Sequence, residues 1–145
     1  LIDPKKTIQI GVRGAQNVAE GWEYSSKNGM RVIFIEEVRK SGIEKIIMET
    51  RKIIGDHPVY MSFDIDSIDP AFAPGTGTPE VAGLTSSDAL EIIRGFRNMN
   101  YVGADMVEVS PPFDNSGLTA LTGATVMYEI LCLLAEVRAK RDKSL

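Results

Sequence analysis

Two carboxylates, Asp64 and Asp66, stand two residues apart at the end of Val59-Tyr60-Met61-Ser62-Phe63, a run whose β-branched and aromatic residues predict a strand. Side chains two apart in extended chain share a side, so the spacing predicts a carboxylate pair. Oxygen donors suit Mg, Ca or Mn better than softer metals, and two such acids could each reach one ion of a dinuclear pair or share it by bridging. The alternative is a solvated cap of the turn. Glu108 sits between Val107 and Val109 at the end of another apolar run. A charge in that setting needs a partner, either a cationic group of a substrate or an internal Arg or Lys. Asp105, an odd number of residues away, is expected on the opposite side in a structural role. Asp69 precedes Pro70 and reads as a turn former. His57 is the one histidine of the chain, lies ahead of the strand and reads as a loop residue.

Several chemistries are excluded by pattern. Asp64-Ile65-Asp66-Ser67-Ile68 fails as a calcium loop, because Ile68 takes the third acidic position and no glycine follows. Gly75-Thr76-Gly77-Thr78-Pro79 lacks the strand-turn-helix setting of a dinucleotide loop, and a single histidine so placed supports no Ser-His-Asp or Cys-His arrangement.

The elements that must position these residues alternate. Ile8 to Arg13 and Arg31 to Ile35 predict strands, with weak helical character from Ala15 to Lys27 between them. Ser41 to Ile54 places Ile43, Ile46, Ile47 and Ile54 on one helical stripe that Gly55 stops. After the third strand, Ser67 to Gly83 holds Pro70, Pro74, Pro79, Gly75 and Gly77, too many breakers for regular structure, and predicts a long constrained loop. Thr85-Ser86-Ser87-Asp88 reads as the cap of a helix reaching about Asn98, and Val102 to Val109 as a fourth strand. A last helix from about Leu118 to Lys140 is apolar nearly all round, which predicts burial on most sides. A membrane span is set aside because Glu129 would sit near its centre. Cys132 lies in this apolar run and is expected in the core. Near-continuous apolar strands alternating with helices predict an α/β fold, three α/β/α layers around a mainly parallel sheet whose carboxyl ends carry the ligands.

With 145 residues, 43% of them hydrophobic and 25% charged, the chain has the composition of one globular domain or part of one. Sixteen Lys+Arg against 20 Asp+Glu leave a net charge of −4 and no basic field for a nucleic-acid backbone. Leu1-Ile2-Asp3-Pro4 carries neither an initiator Met nor an apolar signal core, which favours a cytoplasmic protein from which a segment has been excised.

Ser62-Phe63-Asp64-Ile65-Asp66-Ser67-Ile68-Asp69-Pro70-Ala71-Phe72-Ala73-Pro74-Gly75-Thr76-Gly77-Thr78-Pro79-Glu80 resembles the signature of the ureohydrolase superfamily of arginases and agmatinases. Gln9 to Gly14, Gly83-Leu84-Thr85 and Gly103 to Asp114 resemble further segments of it in the same order, above all in agmatinase-type members acting on ω-guanidino acids. The resemblance implies an arginase-like fold, of which residues 1–145 would be the C-terminal portion of one domain, and hydrolysis of agmatine or an ω-guanidino acid to urea and an amine. By it, Asp64 would bridge two manganese ions, Asp66 would ligate one of them, and Glu108 would hold the substrate guanidinium. The superfamily's Gly-Gly-Asp-His and Asp-Ala-His-x-Asp motifs have no counterpart here, so the remaining ligands would be absent from this chain and the chain alone inactive. The full-length enzyme would be a homo-oligomer acting on a small guanidino compound, with neither nucleic acid nor membrane as partner. The competing readings are a non-catalytic fragment or degenerate paralogue that packs with a partner, and an Asp-x-Asp magnesium phosphatase.

Overall fold

A computed structural model describes residues 2–15 and 21–142. Part of the helical stretch expected from Ala15 to Lys27 falls on residues 16–20, outside the described residues; its remainder forms α1 (Gly21–Lys27). Strand β1 (Ile8–Val12) pairs in parallel with β2 (Arg31–Phe34). The helical stripe expected from Ser41 to Ile54 is α3 (Ile43–Ile54), and a further helix that was not expected, α2 (Ile35–Ser41), precedes it across Gly42 with φ of 82°. Ile35, buried in the core, begins a helix instead of ending a strand. Strand β3 (Pro58–Asp64) then pairs in parallel with β4 (Asn100–Val107), on either side of α4 (Ser86–Gly95), and α5 (Leu118–Asp142) closes the order.

The strands are parallel as expected, but among the described residues they form two two-stranded ribbons rather than one continuous sheet. A shared core joins the ribbons: Ile33, Ile46, Ile93, Tyr101 and Val126 are buried together, with Ile10, Met61, Phe63 and Met106 packed against them. Each such aliphatic side chain contributes about 1.5–3 kcal/mol on burial. Along β3, exposed and covered residues alternate, and Tyr60, Ser62, Val102 and Asp105 face solvent. One face of β3 and β4 is therefore open among the described residues, while parallel strands alternating with helices are as expected.

Helix α4 starts on the predicted signal. Thr85 Oγ1 accepts from Asp88 N at 3.0 Å, and Asp88 Oδ2 accepts from Thr85 N at 2.9 Å, closing a reciprocal capping box. Helix α5 buries only one stripe, Thr119, Gly123, Val126, Ile130 and Leu133, laid against β4 and α4. Leu121, Met127, Tyr128, Leu131 and Cys132 are exposed, so neither burial on most sides nor a core cysteine is found. By length and composition α5 could cross a membrane. Along one side it meets two arginines: Arg94 of α4 reaches Glu129 at 2.5 Å, and Arg97 reaches Glu136.

Candidate metal centre

The acidic turn is built on one buried isoleucine. Ile65, fully buried, enters a small cluster with Ile68, Ala73 and Ala89 and anchors a single 3-10 turn over Ile65–Ser67. Asp64 is the last residue of β3 and Asp66 lies inside that turn. The two carboxylates therefore come together through a local turn rather than through strand alternation: Asp64 Oδ1 accepts from Asp66 N at 3.1 Å. Asp66 Oδ2 accepts from Thr78 Oγ1 at 2.8 Å. Thr78 was not among the sequence candidates, because nothing in the spacing links it to Asp66 and the contact exists only once the long loop returns.

That loop is held by many side-chain bonds to backbone. Asp69 Oδ1 accepts from Ala71 N at 2.9 Å and Oδ2 from Gly83 N at 3.0 Å, the turn-forming role its Asp-Pro context suggested. Asp69 N and Leu84 O, and Leu84 N and Ser67 O, are paired at 2.8 and 2.9 Å, so both limbs of the loop run side by side. The Arg13 guanidinium donates to the carbonyls of Asp66 at 2.7 Å, Glu80 at 2.6 Å and Val81 at 3.2 Å. Further along, Gly75 lies so close to Asp114 that a Cβ would stand 2.4 Å from the Asp114 Cβ. Thr119 Oγ1 receives Gly75 N at 2.7 Å, pinning the loop to the start of α5.

Glu108 follows the end of β4 with φ of 65°, a left-handed conformation that costs a non-glycine residue about 1–3 kcal/mol. The strain aims an exposed carboxylate back over the loop, where Gly77, lacking a side chain, leaves Oε2 3.9 Å from the position a Cβ would occupy. Among the described residues Glu108 has no ion pair, so the internal Arg or Lys partner weighed above is not found. Asp105 is elsewhere, accepting from Tyr60 Oη at 3.0 Å on the open strand face, and His57 is exposed at the amino end of β3.

The electrostatics tie the three acids together. Burial pushes the Asp64 carboxyl up to about 6; the Asp66 N–H opposes this, and the negative charges of Asp66 and Glu108 add to it. A cation at this point would reverse the penalty. Asp64 and Asp66 are hard oxygen donors suited to a divalent ion such as manganese, and they fit as part of a ligand set. Among the described residues no group of three or more His, Cys, Asp or Glu is arranged to hold an ion alone.

Residues 1–133 match a family profile described as the arginase family. The chain is 52% identical over 140 residues to the guanidinopropionase of Pseudomonas aeruginosa, covering 97% of this chain and 44% of that protein. It is 49% identical to the mitochondrial agmatinase of Gallus gallus, covering 95% of this chain and 41% of that protein. The proclavaminate amidino hydrolase structure from Streptomyces clavuligerus superposes with a TM-score of 0.86 at 38% identity, over 94% of this chain and 44% of that one. The chain thus spans about two fifths of the length of the curated relatives it matches.

Proposed function

The chain belongs to the arginase family, and on that premise we propose that the protein carrying it hydrolyses a linear guanidino compound, agmatine or an ω-guanidino acid, to urea and an amine, using divalent metal held in part by Asp64 and Asp66. Residues 1–145 are read as the C-terminal portion of one such domain, the remaining metal ligands coming from the rest of the protein. One observation carries this reading: Asp64, Asp66 and Glu108 gather at the carboxyl ends of two parallel strands, and none has an ion-pair partner among the described residues.

The chemistry asks for such an arrangement. Guanidinium carbon is a poor electrophile because its charge is delocalised. Divalent metal held in part by Asp64 and Asp66 would supply Lewis-acid activation of water at neutral pH. Asp64 and Asp66 hold positive charge at the strand end, and Thr78 fixes the Asp66 rotamer through its hydroxyl. Glu108 accepts paired N–H bonds from the guanidinium, orienting the carbon and giving charge-assisted hydrogen bonds. Its strained backbone keeps that carboxylate over the loop before substrate arrives.

The test is urea release by the full-length manganese-loaded protein from agmatine, guanidinobutyrate and guanidinopropionate, alongside phosphate esters. Urea from at least one guanidino compound, and no phosphate release, is the expected result. Phosphatase activity without urea would overturn the proposal.

A further inference from the structure

Arg13 lies one residue beyond β1, on the ribbon that carries none of the three acids, and is only partly exposed. Its side chain crosses to the other ribbon. Nη2 donates to Asp66 O at 2.7 Å and Glu80 O at 2.6 Å, with Ile68 O a weak third contact at 3.5 Å, and Nε donates to Val81 O at 3.2 Å. The acceptors come from the two limbs of the long loop, and the planar guanidinium reaches both because its donors point in fixed, divergent directions. Space is kept for it: a Cβ on Gly83 would stand 2.7 Å from Nη2. The choice of acceptor matters. Arg13 binds the backbone oxygen of Asp66 and leaves its carboxylate to Thr78, so it orders the turn without neutralising the charge that would attract a cation.

We propose that Arg13 is the positioning residue of the acidic turn: by clamping Asp66 O to Glu80 O and Val81 O, it fixes where the Asp66 carboxylate stands relative to Thr78 and Asp64. The inference rests on the metal reading above. Thr78 and Glu80 are two residues apart, so the clamp and the Thr78–Asp66 bond close a small ring, and loosening one side releases the other.

Arg13→Ala and Arg13→Lys in the full-length protein test this, by manganese titration calorimetry and by amide hydrogen exchange over residues 66–84. Arg13→Ala is expected to weaken manganese binding about 10- to 100-fold, as loss of a partner that orients a ligand does. It should also speed exchange at the Asp69 and Leu84 amides, leaving protection in β3 and β4 intact. Arg13→Lys keeps the charge and loses the fork, and should recover part of the affinity; it also serves as the folded comparison if the alanine variant fails to fold. A loosened loop with wild-type manganese affinity would overturn the positioning role, as would a loop whose exchange is unchanged in both variants. A wild-type protein that binds no manganese would instead overturn the metal reading, with exchange still deciding whether the clamp exists.

Discussion

The two ends of the β3–β4 ribbon are both polar, and they differ in how their polar groups are spent. At the amino end is a cleft of about 420 Å³ lined by Arg51, Gly55, Asp56, Asn98, Met99 and Asn100. Three of its polar side chains are bonded: Arg51 Nη1 donates to Gly95 O at 3.0 Å and Arg97 O at 2.8 Å, Asn100 Oδ1 accepts from Arg141 at 2.8 Å, and Asn98 Oδ1 accepts from Lys140. At the carboxyl end three acids stand together, and burial, with the charges of Asp66 and Glu108 beside it, raises the cost of ionising Asp64. The amino end is a cleft whose cationic and amide side chains are bonded, and the carboxyl end gathers three carboxylates with no ion pair among the described residues. The second is the better sign of chemistry, because a folded chain keeps mutually repelling carboxylates only where something else compensates them.

The widest separation between the ends is expected from Asp64→Asn against Arg51→Ala in the full-length protein. Asp64→Asn removes a proposed ligand and should lower manganese content and urea release by more than about 100-fold, beyond what supporting residues usually cost. Arg51→Ala should leave urea release within about twofold, the scale of a substitution remote from the site. Equal losses in the two variants would erase the distinction between the ends.

Glu108→Gln sharpens the picture within the carboxyl end. It keeps the shape and removes the charge on the substrate side, so metal content should hold while kcat/KM falls about 10- to 100-fold, the scale of a lost hydrogen bond to a charged group. Loss of metal together with activity would place Glu108 among the ligands instead.

Much of this was legible in the sequence because it is local. The Thr85–Asp88 capping box, the Asp69 turn and the breakers between Ser67 and Gly83 are fixed by neighbours in the chain, and local rules read neighbours well. The acids were located, but the reason for their convergence differed: alternation predicted a shared side, whereas the buried Ile65 and a 3-10 turn bring it about. Thr78 and Arg13 were missed since their bonds to residues 66, 80 and 81 depend on how a loop returns and how two ribbons meet. The last helix misled for a related reason. Its apolar residues run all round, and no periodicity says which stripe finds a partner; only contact with β4 and α4 singles out the face through Val126 and Ile130.

The smallest effect distinguishes carboxylates within the carboxyl end itself, and it reads stability. Backbone N–H groups, those of Ala120 and Thr119 foremost, hold the Asp114 carboxyl below the usual range as it caps α5. Asp64 goes the other way, up to about 6 through burial and the neighbouring charges of Asp66 and Glu108. In the metal-free full-length protein the two therefore act with opposite sign. Asp114, depressed in the folded state, gives stability that is present above the unfolded carboxyl value of about 4 and is lost as pH falls through the folded value. Asp64, raised in the folded state, gives stability that is present below about 4 and is lost as pH rises through about 6. Solvent reaches much of the Asp64 side chain, so screening holds its effect to about 1 kcal/mol, a Tm change of a few degrees. Thermal unfolding with chelator present should then show Asp64→Asn gaining on wild type between pH 4 and pH 7, while Asp114→Asn falls behind wild type as pH rises to about 4 and keeps that deficit above it. If Asp64→Asn is instead the less stable protein at pH 7, its carboxylate is needed as a structural acceptor for the Asp66 N–H. Asp64 would then belong with Asp69 and Asp114, the acids spent on holding backbone.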